Sequence, residues 1–557
     1  MKVLLVAVNS KFIHSNLAVR YLKAFTKDIE YNCKVREFSI NDIVDKVLQE
    51  IINEKPNLVA FSCYIWNIEY IKMLANLIKC VDENIEILYG GPEVSYDCKE
   101  FLINNPGEFL IEGEGEKTYR EFIQLKLLKK DFTEVNIKGL YTKTENGVFY
   151  SGKREYMDMN ELVFPYEEND KLDNKIVYYE ASRGCPFNCK YCLSSTFHGV
   201  RFLNIERVKK ELKYFINKKV KLVKFVDRTF NCNPKFAMEI WSFLINEETN
   251  TTFHFEISAD ILTKEEIKIL AKAPLNRFQF EIGVQTTNNK VLKNINRYVN
   301  FEDIKEKVEE LQKIKNIKQH LDLIAGLPEE DFKSFKKSFN DVYSIYPEEI
   351  QLGFLKLLKG SDMREEASKW GMVYSPYPPY EILKTNHISY EELVKLKRVE
   401  MVLDKYYNSG KFRNILKYFI IKFKTPFDFY YEMGSFLYYK GYLNRNISAA
   451  DYYKVFIEFN EEVLKENSIL LKEIIKFDYL KYNKKKWLPP FLDRYVDKDK
   501  EKEIKSKIKK GEICNFDKFH IEKFNINIIK YVSLGIIEKG NFYVIFDEKD
   551  RNGIVSI

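Results

Sequence analysis

The sequence predicts an α/β protein with two groups of parallel strands and a mostly helical tail, and three observations predict it. Continuous apolar runs such as "KVLLVAV" (2–8) recur with amphipathic stretches between them, as expected of strands buried on both faces. This alternation runs to about residue 150, breaks, and resumes at 176. Beyond about 375 the apolar spacing becomes that of long, Lys-rich helices. At 557 residues the chain is also too long for one ordinary core.

The first group spans 1–150. After "KVLLVAV" comes the helical "NLAVRYLKAF", then strands "LVAFSCYIW" (58–66), "IEILYGGPE" (85–93) and "EFLIEGEGE" (108–116), with a helix over 68–81. This is a doubly wound, Rossmann-like sheet, which takes ligands at the carboxyl ends of its strands. "GGPE" and "EGEGE" both sit at such ends. Glycine there lets a backbone approach a ligand closely, although similar turns also close sheets with nothing bound.

Residues 151–175 are polar and irregular, a linker. From 176 to about 375 six strands are expected: "IVYYEAS" (176–182), "LVKFVD" (222–227), "FHFEIS" (253–258), "RFQFEIGV" (277–284), "KQHLDLIAG" (318–326) and "EIQLGFLKLL" (349–358). Asn204 is the expected cap of the helix that follows it. Six repeats suggest a partial TIM-type (β/α)6 barrel, with its chemistry at the C-terminal strand ends. The tail, 376–557, reads as helical over 389–407 and 461–480. A solvated helix is expected in the mixed-sign run 497–512, and a short hairpin in "YVSLGIIEKGNFYVIFD", turning at Lys539-Gly540-Asn541.

Composition narrows the class. Hydrophobic residues make up 45% and charged residues 31%, as in globular proteins rather than disordered or membrane ones. A net charge of +7 is small for this length and does not argue for nucleic acid. No apolar stretch approaches 18 residues and the N-terminus lacks a signal-peptide pattern, so a cytoplasmic protein without a membrane partner is expected. In that compartment Cys33, Cys63, Cys80, Cys98, Cys232 and Cys514 default to small buried hydrophobes.

The remaining three of the nine cysteines stand together in "ASRGCPFNCKYCLSS" (181–195) as Cys185, Cys189 and Cys192. Thiolates suit zinc or iron–sulfur clusters. Zinc would want a fourth ligand, and the one near candidate, His198, completes no accepted spacing; disulfide pairing leaves one cysteine over. A four-iron cluster with one iron lacking a protein ligand fits better, since an open coordination position serves catalysis.

C-x3-C-x2-C with an aromatic residue before the last cysteine resembles the signature of the radical S-adenosylmethionine (SAM) superfamily. The resemblance covers roughly 176–375 and implies a [4Fe–4S] cluster on Cys185, Cys189 and Cys192. Its unique iron would chelate SAM, which the reduced cluster cleaves to methionine and a 5′-deoxyadenosyl radical, with flavodoxin or ferredoxin as a typical electron donor. It also implies SAM contacts at later strand ends: Asp227 and Arg228, then Glu256 and Ser258, then Glu281 and Gln285, followed by "DLIAGLP". Each has a plain alternative, for Glu256 and Glu281 an ion pair with a nearby Arg or Lys.

The front sequence resembles the cobalamin-binding domain of cobalamin-dependent radical SAM enzymes, through "VNSKFIHSNLAVRYL", "GGPE" and "EGEGE". The implied corrin contacts are Asn9, Ser62, Gly90, Gly91, Pro92, Glu93, Gly113 and Gly115. One departure stands out. The D-x-H-x-x-G ligand motif is absent, with Phe12 and Leu17 in place of its Asp and Gly, so His14 is expected to cap or pack near the first helix rather than to ligate cobalt. The domain order resembles a subgroup whose C-terminal domain has no known role. It implies methylation of an unactivated carbon of an unknown substrate. Alternatives are oxidative cyclisation or rearrangement, methylthiolation with a second cluster drawn from Cys33, Cys63, Cys80 and Cys98, and a non-catalytic cobalamin sensor.

Overall fold

The computed structural model describes residues 1–132, 135–196, 199–483, 488–494 and 497–557. It divides into two compact units, one of residues 1–335 and 353–389, the other of 336–352 and 390–557.

The first unit opens with β1 (Lys2–Asn9), β2 (Asn32–Ser39), β3 (Leu58–Ser62), β4 (Glu86–Gly90) and β5 (Phe109–Ile111). These pair in parallel in the order β2-β1-β3-β4-β5. The central strands are buried along nearly their whole length, which is why their sequences are continuous apolar runs. The helix Leu17–Phe25 starts where the Asn16 side chain accepts the Val19 N–H, as a polar cap should. Two features went unanticipated. β2 alternates polar and apolar residues at the sheet edge, a weaker signal than a buried run. An antiparallel pair, β6 (Leu140–Thr144) and β7 (Gly147–Tyr150), extends the sheet beyond β5.

The second sheet uses β8 (Ile176–Tyr179), then a small hairpin of β9 (Ser182–Cys185) and β10 (Gly199–Phe202), then β11 (Leu222–Phe225), β12 (Thr252–Ile257), β13 (Phe278–Gln285), β14 (Lys318–Ala325) and β15 (Glu349–Phe354). Apart from the hairpin these follow the order β8-β11-β12-β13-β14-β15, the six-strand arrangement the sequence predicts. Asn204 caps the helix Ile205–Asn217 by accepting from Glu206 and Arg207 N–H groups. β8 is the free edge of this sheet, and the front loop covers it: Ile176 N–H donates to Ile13 O at 2.8 Å, and Ser15 Oγ donates to Ile176 O at 3.0 Å.

The second unit is mainly helical. The helix Pro426–Tyr439 packs Phe427 and Tyr430 against Phe339, with Tyr343 also on Tyr430. The mixed-sign run forms the helix Lys498–Lys509, burying Ile504 and Ile508. The expected 531–547 hairpin is corrected here. Its first arm belongs to the helix Ile528–Leu534, capped by Asn527 and ended by Gly535 at φ 73°; Lys539–Asp547 instead pairs with Phe519–Ile526 and Ile554–Ser556. The Asn527 cap starts a helix there and Gly535 ends it, and together they outweigh the alternation that favours a strand. Cys80 is exposed, also contrary to expectation, whereas Cys63 and Cys98 are buried. Among the described residues no helix is long and apolar enough to cross a membrane.

The barrel interior is polar at mid-height. Glu281 Oε2 accepts from Lys224 Nζ and bonds His254 Nε2, both at 3.0 Å, and His254 meets the His320 ring edge-on. Burial holds the His320 imidazole down to about 4, against about 6.5 unfolded. As pH falls from 6.5 to 4 the unfolded chain takes up this proton first. His320 therefore contributes stability that is present above 6.5 and lost on acidification, about 3 kcal/mol in all. Urea unfolding at pH 7 and 4.5 should show His320→Gln losing less stability than the parent chain; equal losses would exclude this account.

Candidate functional site

The cysteine loop hangs between β9 and β10. At Gly184, φ is 100° and a Cβ would stand 2.1 Å from Gly199 O, so the hairpin requires glycine just before Cys185. A connection after β13 clasps the far side: Lys190 N–H donates to Ile295 O (3.1 Å), and Asn296 Nδ2 to Asn188 O (3.2 Å). Arg297 completes it. Its Nη1 points at Cys189 Sγ at 4.0 Å and its Nη2 donates to Gly283 O at 2.5 Å. Burial pushes the Cys189 thiol up while Arg297 opposes that shift. All three thiols are free. Among the described residues no three His, Cys, Asp or Glu side chains are grouped to hold a metal ion; a four-iron cube takes each thiolate on a separate iron, which spreads them apart. His198 lies outside the described residues.

The strand-end residues occupy different settings. Asp227 is 1% exposed and accepts from Ala181 N–H (3.0 Å) and Ser182 Oγ (2.5 Å). Burial raises its carboxyl to about 7. It fastens the start of the cysteine hairpin. Arg228 faces Glu256 at 3.8 Å. Ser258 donates to Asp260, and Asn231 braces its backbone. Glu281 lies in mid-strand; burial raises it, but the His254 bond and Lys224 prevail and hold it at about 2. Gln285 has φ 70°, and its Oε1 is buried without a partner, as are Arg297 Nε and Asp322 Oδ1. Such orphaned atoms suit a polar ligand beside the cysteine loop.

Between the front sheet and the barrel mouth lies a cavity of about 760 Å³. Asn9, Ser62, Gly90, Gly91, Pro92, Glu93, Gly113 and Gly115 all line it, and Tyr178, Glu180, Arg183, Ser194 and Arg228 face it from the barrel side. At Gly91 φ is 115° and a Cβ would meet Cys63 O at 2.5 Å, so the turn itself demands glycine. Asn9 and Ser62 are tied into the wall, Asn9 Nδ2 to Glu37 at 3.0 Å and Ser62 Oγ to Asn16 at 3.3 Å. The Glu93 carboxylate accepts from the Tyr380 hydroxyl and faces Lys359. His14 also lines the cavity. Its Nδ1 bonds the Tyr178 hydroxyl at 2.7 Å and its ring packs on that of Tyr178; of the two roles expected for it, capping and packing, the helix cap belongs to Asn16.

One side chain joins the two halves. Arg183, two residues before Cys185, reaches Glu116 (2.6 Å), Glu180 (3.0 Å) and Glu114 (3.6 Å), with its side chain 13% exposed. Arg201 binds the other oxygen of Glu114. Sequence reasoning missed Arg183, Arg297 and Tyr380. The acids of "EGEGE" were a signal for the first, since three carboxylates near a sheet edge need a cation.

Three family models match in series: "B12 binding domain" over residues 3–123, "Radical SAM superfamily" over 179–342, and "Protein of unknown function (DUF4080)" over 368–546. The chain carries a B12-binding domain followed by a radical SAM domain. It is 22% identical to an uncharacterized methyltransferase of Pyrococcus horikoshii over 407 residues, covering 69% of this chain and 86% of that one. It is 25% identical over 312 residues to the cobalamin-dependent radical SAM methyltransferase TokK of Streptomyces tokunonensis, covering 51% of this chain but 44% of the relative. The radical SAM protein thus spans less than half of TokK. In fold it is similar to the cobalamin-dependent SAM radical enzyme OxsB, with TM-score 0.60 at 16% identity over 92% of this chain and 81% of that one.

Removing Arg183 leaves three acids around a vacated buried position. Arg183→Met should destabilise this radical SAM protein by about 3–5 kcal/mol, read from the urea midpoint of the full chain. A change below 1 kcal/mol would show that the cage is not a structural requirement.

Proposed function

We propose that this protein is a cobalamin-dependent radical SAM methyltransferase that methylates an unactivated carbon of a substrate still to be found. One observation carries the reading: a single cavity is walled by the glycine turns of the B12-binding domain on one side and, on the other, by the barrel mouth beside the cysteine loop. Cys185, Cys189 and Cys192 would hold the cluster, and the eight front residues would line the corrin pocket. When bound, the cluster with SAM supplies a carbon-centred radical, and the corrin a transferable methyl group.

The chain's own residues prepare that chemistry. Asp227 holds the hairpin that carries Cys185, and the clasp at Ile295–Arg297 holds the loop around Cys189. Arg297 places a cation beside one thiolate, which favours its charged form. Gln285, Arg297 and Asp322 offer buried polar atoms to SAM, as Arg228 and Glu256 do at neighbouring strand ends. Gly91 lets the backbone pass close under the pocket floor. Much of the cavity wall is apolar, with Leu17, Leu22, Ile65 and Trp66 from the front half and Val226 from the barrel, which disfavours water beside a reactive radical. We assign the electron donor to flavodoxin or ferredoxin and the site of action to the cytoplasm.

Protein purified without oxygen from cobalamin-fed cells should carry near-stoichiometric cobalamin and about four irons, one [4Fe–4S] cluster. Cys189→Ala should stay folded and lose 5′-deoxyadenosine formation from SAM. Four irons without cobalamin would remove the methyltransferase reading but leave a radical SAM protein; about eight irons would point to methylthiolation.

A further inference from the structure

The strand β15 leads into a segment, Leu358–Tyr380, that no family motif explains and whose later part opens the DUF4080 match. It belongs to the first compact unit, not the helical one. It touches two different loops of the candidate site. Its early helical turn meets the C-x3-C-x2-C loop: Met363 N–H donates to Lys190 O at 2.9 Å, and Glu366 pairs with Lys190 Nζ at 2.6 Å. Both ends of the segment meet the "GGPE" turn: Tyr380 donates to Glu93, and Lys359 faces Glu93 at 3.7 Å and Asp97 at 3.2 Å. Gly360 lies so close to the Tyr96 ring that a Cβ there would stand 2.0 Å from it.

The segment between these ends is stiff. Leu357 N–H donates to Tyr380 O and Ile382 N–H to Leu355 O, both at 2.9 Å. Arg364 donates to Leu357 O and lies over the Tyr374 and Tyr380 rings at 5.4 and 4.9 Å. Trp370 Nε1 donates to the same Glu366 carboxylate that Lys190 binds. A cross-linked segment seated on both loops ties the position of one to that of the other.

We infer that Leu358–Tyr380 is a brace that fixes the spacing between the cysteine loop and the "GGPE" turn, with Tyr380, Glu93, Lys190 and Glu366 as its positioning residues. The inference rests on the proposed function for what the two loops carry, and extends it. Glu93, which lines the cavity, also anchors the brace. The first residues of the DUF4080 match thereby acquire a role in the geometry of the site.

Hydrogen exchange on the full chain tests the brace without any bound cofactor. Tyr380→Phe should raise deuterium uptake several-fold in peptides covering 186–195 and 360–366 and leave β1 and β3 unchanged; unchanged uptake in 186–195 overturns the brace. Should Tyr380→Phe unfold the chain, Lys190→Met releases the contact with the cysteine loop instead and should raise uptake over 91–97, and unchanged uptake there overturns it equally. In the loaded protein, magnetic coupling between the reduced cluster and cob(II)alamin should show a broader distance distribution in Tyr380→Phe than in the parent, at equal iron and cobalt content. An identical distribution overturns the spacing claim, whereas missing iron or cobalt counts against the proposed function and leaves the exchange result standing.

Discussion

The buried guanidinium of Arg183 is the interaction on which the site most depends. It sits at the root of the cysteine hairpin, yet two of its three carboxylate partners, Glu114 and Glu116, belong to the loop at the end of β5. The position of the hairpin is therefore set by the front sheet as much as by the barrel. Charges taken out of water this far are costly unless each finds a partner with good geometry. Here a cation surrounded by three acids, with Arg201 as a second cation on Glu114, satisfies most of them. The arrangement tolerates little displacement, because its partners come from both the front sheet and the barrel side.

Around that anchor the site divides its work. Most candidate residues support the chain rather than point at a ligand: Asp227 holds backbone, Asn9 and Ser62 hold the cavity wall, and Glu281 neutralises Lys224 and bonds His254. Buried atoms left without partners include ones on Gln285, Arg297 and Asp322, and Arg297 also faces Cys189. This separation of supporting groups from waiting groups is what a preorganised pocket requires, since side chains already fixed lose little freedom when a ligand arrives.

Much of this was legible in the sequence, for identifiable reasons. β1, β3 and β4 are buried on both faces and so are written as apolar runs, and the cysteine spacing is a local motif that survives without context. The alternating edge strand β2 and the β6–β7 pair carry weaker patterns, because one face meets solvent and polar residues are allowed there. The tail misled where alternation near residue 531 resembled a strand, while the Asn527 cap and Gly535 stop had the stronger hold on the backbone. Arg297 and Tyr380 were beyond reach for a different cause. Their partners lie 108 and 287 positions away, and a single sequence carries no record of such pairings.

The two units are not consecutive along the chain. Residues 336–352 leave the first unit, join the second, and the chain then returns for 353–389 before leaving again. The helical unit owes part of its core to that excursion, since Phe339 and Tyr343 pack on Phe427 and Tyr430. It is therefore not a cassette that gene fusion could add or remove at one junction. A chain ended at 389 would keep Phe339 and Tyr343 but lose what covers them, leaving an aromatic face prone to self-association.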